Sequence, residues 1–241
     1  MSPGLHAAYR ELRRLGDVTI VAPDAERSAV GHAITIFTPL RVKEFLRGGR
    51  HLGYSIDGTP ADCVKLAFSS LMEKRPDLVV SGINLGPNTG NNVIYSGTVS
   101  AATEARILGV PSLAVSLGTF TNPLWTVAAQ VTRRIARAVL ANTLPKKVLI
   151  NVNVPNIAKE KIKGIKVTRM GSSGYTERFT IHTDPDNKPS YLLNATYKVS
   201  DTDLDTDAAA LAAGWVTVTP ITFDLTAYES LEDVAGWKLK L

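Results

Sequence analysis

The chain has 241 residues, of which 44% are hydrophobic and 20% are charged, as is ordinary for a globular protein. Its formal charge of +5 comes from scattered Lys and Arg and not from a dense basic tract, so we expect no nucleic-acid binding. The single Cys63 excludes an intrachain disulfide and a cysteine-based zinc site. We find neither a signal peptide nor a run of about 18 apolar residues, and we therefore expect no membrane partner and a cytoplasmic location.

Hydrophobic periodicity predicts that helices and strands alternate through the first part of the chain. The predicted helices begin near residues 3, 60, 99 and 123, and the predicted strands cover 17–23, 33–37, 40–45, 54–56, 78–80, 112–117 and 148–154. This alternation is typical of an α/β fold with a mostly parallel sheet. The first element is a helix, whereas a doubly wound fold has a central strand before it. We therefore expect the first strand to be missing from the sheet.

The pattern changes from about residue 157 onward, where short β-like pieces alternate with Gly, Pro and Asp clusters. These pieces cover 165–168, 178–181 and 191–193, followed by a short helix at 208–213 and a returning strand at 215–219. A lobe of hairpins that projects from an α/β core is a natural oligomerisation device. We expect this region to make contacts between subunits.

The stretch from Pro76 to Arg106 carries the strongest functional signal. A buried strand leads into a long Asn- and Gly-rich loop, and Ser96-Gly97-Thr98 then begins a helix. This arrangement presents backbone N–H groups to an anion at the carboxyl ends of the strands, where α/β folds bind ligands. An ordinary strand-to-helix turn is the alternative, since Asn and Gly are turn residues. The loop is longer than a connection requires, which favours binding.

Ser28 and Asn84 both follow predicted strand ends and could face one crevice. Their oxygens are neutral, and a hard dication such as Mg²⁺ needs carboxylates beside them. The nearest candidates, Asp24, Asp57 and Asp62, have no convincing spacing. On spacing alone, hydrogen bonding within the loops is the stronger interpretation for Ser28 and Asn84.

Six segments of the chain closely resemble the SurE family, the stationary-phase survival proteins. They are residues 22–35, 56–64, 76–116, 151–156, 162–171 and 214–226. The block SGIN…SGTVSAA within the third segment is highly specific. The segments follow the family's order over nearly the whole chain.

This resemblance implies a Rossmann-like, three-layer core with a mostly parallel sheet at 1–156. It also implies a C-terminal β-hairpin arm at 157–241 that returns to the core and is exchanged between subunits, giving a homodimer or homotetramer. The implied activity is a metal-dependent phosphatase that hydrolyses nucleoside 5′- and 3′-monophosphates, and in some members short polyphosphate. The implied partners are therefore nucleoside monophosphates and further copies of the chain.

The family's site has four ligands for Mg²⁺ or Mn²⁺: the two Asp of an N-D-D-G motif, a Ser and an Asn. The last two match Ser28 and Asn84, which we predict to be both metal-binding and catalytic. The residues that match the family's phosphate side are Asn88, Ser96, Gly97 and Thr98. His32, four positions after Ser28, is either a further phosphate-binding or proton-donating group or a structural loop histidine.

The N-D-D-G motif is absent, although it normally stands a few residues before S-P-G, which here is residues 2–4. We expect the Asp pair upstream of Met1, the chain being a mis-called start, a shortened version or a natural inactive variant. The alternative function is a nucleotide- or phosphate-binding protein with little or no turnover. A nicotinamide-binding domain is disfavoured because no G-x-G-x-x-G follows a first strand.

Overall fold

Helices and strands alternate along the chain as the periodicity predicts. A computed structural model describes residues 1–184, 186–237 and 239. The helices are α1 (Pro3–Leu12), α2 (Pro60–Leu66), α3 (Gly97–Ile107), α4 (Trp125–Ala141), α5 (Asp207–Ala212) and α6 (Leu231–Ala235). The strands are β1 (Ile20–Pro23), β2 (Val42–Arg47), β3 (Arg50–Ile56), β4 (Val79–Leu85), β5 (Ser112–Gly118), β6 (Val148–Pro155), β7 (Ile165–Val167), β8 (Gly174–Thr183), β9 (Pro189–Lys198) and β10 (Val216–Thr222).

The strands form two sheets and one separate hairpin. The larger sheet has the order β4-β5-β6-β10-β7, and the smaller has the order β1-β3-β2. Neighbours are parallel except for the β10–β6 and β2–β3 pairs. In the described part of the chain, β1 and β4 each pair with a strand on one side only. The two sheets are thus not joined through these strands, and the missing first strand stays a prediction.

The two faces of the larger sheet are chemically different. One face packs on α1 and α4 through an aliphatic core that includes Leu113, Val115 and Val152. The other face is covered by α3, and there Ala114 and Leu149 pack against the helix's small apolar residues. Helices on both faces of a mostly parallel sheet make three layers, and the predicted α/β fold class is confirmed.

Side chains that satisfy free N–H groups begin three of the helices. Ser2 accepts from the Leu5 N–H, and Ser96 accepts from the Val99 N–H. Thr59 and Asp62 form a reciprocal capping box at the start of α2. These caps agree with the helix starts predicted near residues 3, 60 and 99.

The strand predicted at 33–37 is wrong. Its backbone groups bond to side chains of the neighbouring helix start: the Ala33 carbonyl accepts from Thr59 Oγ1, and the Thr35 N–H donates to Asp62. Phe37 is 97% exposed, so no neighbouring strand covers the segment. The apolar alternation was therefore not enough to form a ladder.

The β8–β9 hairpin confirms the predicted β arm. It is antiparallel in register from Gly174–Lys198 to Thr183–Pro189. After the hairpin the chain returns to the larger sheet, where β10 lies between β6 and β7. The division into 1–156 and 157–241 stays a prediction.

The structure also bears on the reactivity of Cys63 and on the prediction that no helix crosses a membrane. Cys63 is buried in α2, and burial raises the pKa of its thiol to about 12, so the thiol is held in the unreactive protonated form. In the described ranges no helix is long and apolar enough to cross a membrane. A cytoplasmic location stays a prediction.

Candidate active site

Polar residues are aligned across the larger sheet near the carboxyl ends of its parallel strands. Asn84 of β4 is in register with Ser116 of β5, which is in register with Asn153 of β6. Ser112, four residues before Ser116, donates to the Ala102 carbonyl of α3. Since alternate residues share a face, Ser116 also points to the α3 side. Open α/β sheets bind ligands at this edge.

The loop after β4 is fastened to this polar row through Asn88. The Asn88 N–H donates to Asn153 Oδ1 at 2.8 Å, and its carbonyl accepts from Asn153 Nδ2 at 3.0 Å and from Asn151 Nδ2 at 2.8 Å. Asn88 Nδ2 donates to Ser116 Oγ at 2.7 Å. Asn151, Asn153 and Ser116 are fully buried. A buried network that satisfies both backbone groups of Asn88 fixes the loop's position.

A buried carboxylate fastens the next turn of the loop. Asp207, the first residue of α5, accepts from the Gly90 N–H at 2.9 Å and from the Gly171 N–H at 3.1 Å. Burial raises the pKa of Asp207, an effect that these hydrogen bonds oppose. Gly90 has φ +53°, and a Cβ there would collide with the Ser173 carbonyl. Only glycine fits at that point without strain.

The Asn84 side chain holds the turn directly after β4. Its Nδ2 donates to the Leu85 carbonyl at 3.2 Å and to the Gly86 carbonyl at 2.9 Å. With both amide hydrogens directed to the loop, the Oδ1 atom is left to meet a ligand. These two hydrogen bonds leave Oδ1 unused, and the role of Asn84 as a metal ligand stays a prediction.

The N-terminus of α3 lies beside the loop that carries Ser28. The Gly31 N–H donates to the Tyr95 carbonyl at 3.1 Å, and a Cβ on Gly97 would lie 3.4 Å from the Arg27 carbonyl oxygen. Ser96 Oγ is used as the helix cap. The first free N–H groups of the helix belong to Gly97 and Thr98, and the helix dipole makes this end attractive to anions.

Ser28 and Asn84 do not make a dication site by themselves. Ser28 Oγ donates to Glu26 Oε1 at 2.6 Å, which leaves its lone pairs free, and both candidate ligands are neutral. Across residues 1–184, 186–237 and 239, no group of three or more His, Cys, Asp or Glu could hold a metal ion. A hard dication needs carboxylates. The donor set of the described residues is therefore incomplete for such an ion.

His32 is paired with a carboxylate that is itself shared. Its Nε2 lies 2.8 Å from Glu104 Oε2, and Lys65 Nζ lies 2.8 Å from Glu104 Oε1. Glu104 is 3% exposed in α3, so the pair ties the His32 loop to that helix. The predicted phosphate role of His32 stays a prediction.

Asp62 gives the loop that carries Ser28 and His32 a pH-dependent anchor. Burial favours the neutral acid, but hydrogen bonds from Thr35 and Thr59 outweigh it and lower the pKa of Asp62 below 3.8. The stabilising contribution of a carboxylate with a lowered pKa is present above the unfolded value and is lost as pH falls through the folded value.

We expect Asp62→Asn to lower the free energy of unfolding by about 1–2 kcal/mol at pH 7, the range for a lost helix cap. The difference from the parent chain should begin to shrink below about pH 4, where the carboxyl of the unfolded chain takes up a proton, and should go on shrinking as the pH falls through the lowered pKa of folded Asp62. Urea unfolding of both proteins at pH 7 and at pH 3 measures this. A difference of equal size at both pH values would show that the charge of Asp62 is not what stabilises the loop.

Comparison with known proteins places the chain in a family. The family model for the survival protein SurE matches residues 1–177. The chain belongs to the SurE family. A 5′-nucleotidase SurE of Syntrophobacter fumaroxidans is 47% identical over 236 residues, which cover 98% of this chain and 94% of that protein. A 5′-nucleotidase SurE of Syntrophus aciditrophicus is 49% identical over 230 residues, which cover 95% of this chain and 86% of that protein.

A solved structure confirms the fold of this SurE chain. The crystal structure of the SurE protein of Aquifex aeolicus has a TM-score of 0.85 with it at 44% identity, covering 97% of this chain and 94% of that one. The resemblance seen in the sequence is thus confirmed as family membership, and the core is Rossmann-like.

Several residues that build the candidate site were not predicted from the sequence. They are Ser116, Asn151, Asn153 and Asp207. Asn151 and Asn153 alternate with Val within an otherwise buried strand, and two buried amides on one face were a usable signal. Asp207 stands directly before the short helix predicted at 208–213, and no local pattern marks it as part of a site. The predicted roles of Ser28, Asn84, Asn88, Ser96, Gly97, Thr98 and His32 stay predictions.

Proposed function

We propose that this SurE chain is a phosphomonoesterase that hydrolyses nucleoside 5′-monophosphates. Two observations support it: an anion-attracting helix start at Gly97, and a loop after Asn84 whose position is fixed by buried amides. The relatives named as 5′-nucleotidases align with nearly the whole chain and support the same reaction. In this proposal the residues at the start of α3 bind the phosphate, and the buried amides hold the loop after β4 in position.

The start of α3 binds the phosphate. The Gly97 and Thr98 N–H groups precede the first intrahelical hydrogen bond, so they donate to phosphate oxygens, and the Thr98 hydroxyl adds a further donor. Asn88 uses one amide hydrogen on Ser116 and offers the other to the phosphate. Donors fixed before the substrate arrives stabilise charge without reorganising.

We also propose Mg²⁺ or Mn²⁺ as the cofactor, with Ser28 and Asn84 as two neutral ligands. This proposal rests on family membership, because the described residues lack the carboxylates that would complete the site. A bound dication would supply Lewis-acid stabilisation of the phosphoryl oxygens. Its binding is measurable apart from turnover, by Mn²⁺ titration of the parent chain and of Asn84→Ala.

The proposal also covers the range of substrates. We propose that the chain also hydrolyses nucleoside 3′-monophosphates and short polyphosphates. Phosphate release from a 5′-monophosphate, a 3′-monophosphate and tripolyphosphate, each with Mg²⁺ or Mn²⁺, tests the three activities separately. Absence of release from the 5′-monophosphate would overturn the main proposal.

A nucleotide- or phosphate-binding protein without turnover is the second candidate. One observation favours it, namely the lack of a metal-binding carboxylate cluster among the described residues. It predicts that a nucleoside monophosphate raises the melting temperature while no phosphate is released. Melting curves and phosphate release on the same sample separate the two functions.

We propose self-association through the β8–β9 hairpin, giving a homodimer or homotetramer. The cross-strand pairs Phe179–Leu193 and Ile181–Tyr191 lie on one face, and Phe179 and Ile181 are 62% and 68% exposed. Apolar groups gathered on one face of a projecting hairpin favour burial against another copy.

Ile181→Asp should therefore yield monomers, because it buries an unpaired charge in the interface. Thr180→Asp is the matched control, since Thr180 is the adjacent residue and points to the opposite face of the hairpin. Light scattering after gel filtration measures the mass of each variant. If the parent chain is already monomeric, or if Ile181→Asp keeps the parent's mass, the proposed interface is wrong.

A further inference from the structure

A large groove opens beside the candidate active site, between the sheet edge and the base of the hairpin. Its volume is about 860 Å³. It is lined by the carboxyl ends of β5 and β6, the end of α5 and the hairpin base, including Pro87, Phe120, Asn156, Tyr175, Tyr197 and Leu211. The size lies within the range of small-molecule sites.

The groove is continuous with the loop that carries Asn84. Pro87, a lining residue, lies between Asn84 and Asn88. The Phe120 ring packs so closely on Gly86 that a Cβ at Gly86 would collide with it. The Gly86 carbonyl in turn accepts from the Asn84 amide. A molecule held by its phosphate at the candidate site could therefore extend directly over Phe120.

Phe120 is presented on a rigid loop. The Thr119 hydroxyl donates to the Thr121 carbonyl and accepts from the Thr121 N–H. The Asn156 amide donates to the Asn122 carbonyl and accepts from the Leu124 N–H. The Phe120 side chain is nevertheless 53% exposed. An aromatic face held in place before binding loses little entropy when a flat ring stacks on it.

The chemistry of the lining suits a neutral, partly aromatic ligand. In the described part of the chain every lining residue is uncharged. Tyr175 and Tyr197 form an edge-to-face pair with ring centroids 5.6 Å apart, and burial raises the pKa of both phenols. The hydroxyls of Thr121 and Thr196 add hydrogen-bonding groups. A second phosphate would find no cation here, whereas a nucleobase and ribose would find a stacking face and polar partners.

We infer that this groove binds the nucleoside part of the substrate, with the base stacked on Phe120. The inference rests on the proposed function, because the phosphate must occupy the α3 start for the nucleoside to reach the groove. It assigns base recognition to the loop after β5. The competing occupant is a second copy of the chain, whose hairpin could fill the same space.

The experiment compares Phe120→Ala with the parent chain and with Phe37→Ala, which removes an equally large, 97% exposed ring that does not line the groove. Adenosine binding is measured by calorimetry, which needs no turnover. KM is measured for adenosine 5′-monophosphate and for ribose 5-phosphate, which lacks the base. Light scattering reports the mass of each variant.

We expect Phe120→Ala to weaken adenosine binding, and to raise KM for adenosine 5′-monophosphate, by about tenfold or more, the size of one base–aromatic stack. KM for ribose 5-phosphate and all values for Phe37→Ala should change less than about twofold. The inference is overturned if Phe120→Ala binds adenosine as tightly as the parent chain does. It is also overturned if Phe120→Ala loses oligomeric mass and not adenosine binding. Absence of phosphate release from both substrates overturns the proposed function instead, and the calorimetry still tests the groove.

Discussion

Replacing Asn84 by alanine is expected to lower kcat for a nucleoside 5′-monophosphate by about a hundredfold or more, the usual cost of removing one fixed polar group from a reaction centre. The amide holds the turn at Leu85 and Gly86 and directs its Oδ1 atom outward. The free energy of unfolding should fall by only about 1 kcal/mol, since the lost hydrogen bonds lie at the end of a strand and not in its interior. Steady-state kinetics and urea unfolding of the same preparation measure both effects.

Asn142→Ala is the matched control for this substitution. Asn142 also uses its amide to hold a backbone carbonyl, that of Ala138 at the end of α4, but it lies on an exposed helix end. Its kcat should equal that of the parent chain. An Asn84→Ala variant with unchanged turnover would remove Asn84 from the reaction and with it the proposed site.

Asn153→Ala is expected to reduce both stability and activity. The fully buried amide satisfies the N–H and the carbonyl of Asn88 at once. Its removal leaves the buried Asn88 N–H without an acceptor. The Asn88 carbonyl keeps one hydrogen bond, from Asn151. We expect the free energy of unfolding to fall by about 3 kcal/mol, the sum of the lost bonds and the penalty for one unsatisfied group. Turnover per folded molecule should fall at least about tenfold, since loops displaced by about 1 Å cost much of the rate.

A substitution at the neighbouring Val154 distinguishes a general loss of stability from a specific loss of turnover. Val154 is equally buried but packs in the aliphatic core on the opposite face. Val154→Ala should lose about 2 kcal/mol to a core cavity and keep its turnover at temperatures where it is folded. If the two variants lose turnover equally, the Asn153 network has no specific role in holding the Asn88 loop.

The elements of the core were predictable because their signals are local. Thr59, Pro60 and Asp62 carry a complete helix start within four residues, and α2 begins there. The buried strands β5 and β6 are short apolar runs bounded by turn residues, and they lie within about one residue of the predicted spans. The long loop after β4 was predictable for the same reason, since Gly and Asn mark the connection itself, and its phosphate-binding role stays a prediction.

The remainder of the site depends on contacts between distant parts of the chain. Asp207 lies 117 residues from Gly90, and no local pattern links the two. The amide of Asn88 is recognisable as polar, yet its attachment to Ser116 and Asn153 follows only from strand order. The failed strand at 33–37 has the same origin, because side chains of another element compete for its backbone groups.

The most direct test of this account is phosphate release from adenosine 5′-monophosphate by the purified chain, with Mn²⁺ or Mg²⁺ and then with excess EDTA. We expect phosphate release in the presence of the dication and loss of that release with EDTA. Release that continues in EDTA would contradict the proposed cofactor. A chain whose melting temperature rises with the nucleotide, but which releases no phosphate with either metal, would contradict the nucleotidase itself and support a binding protein.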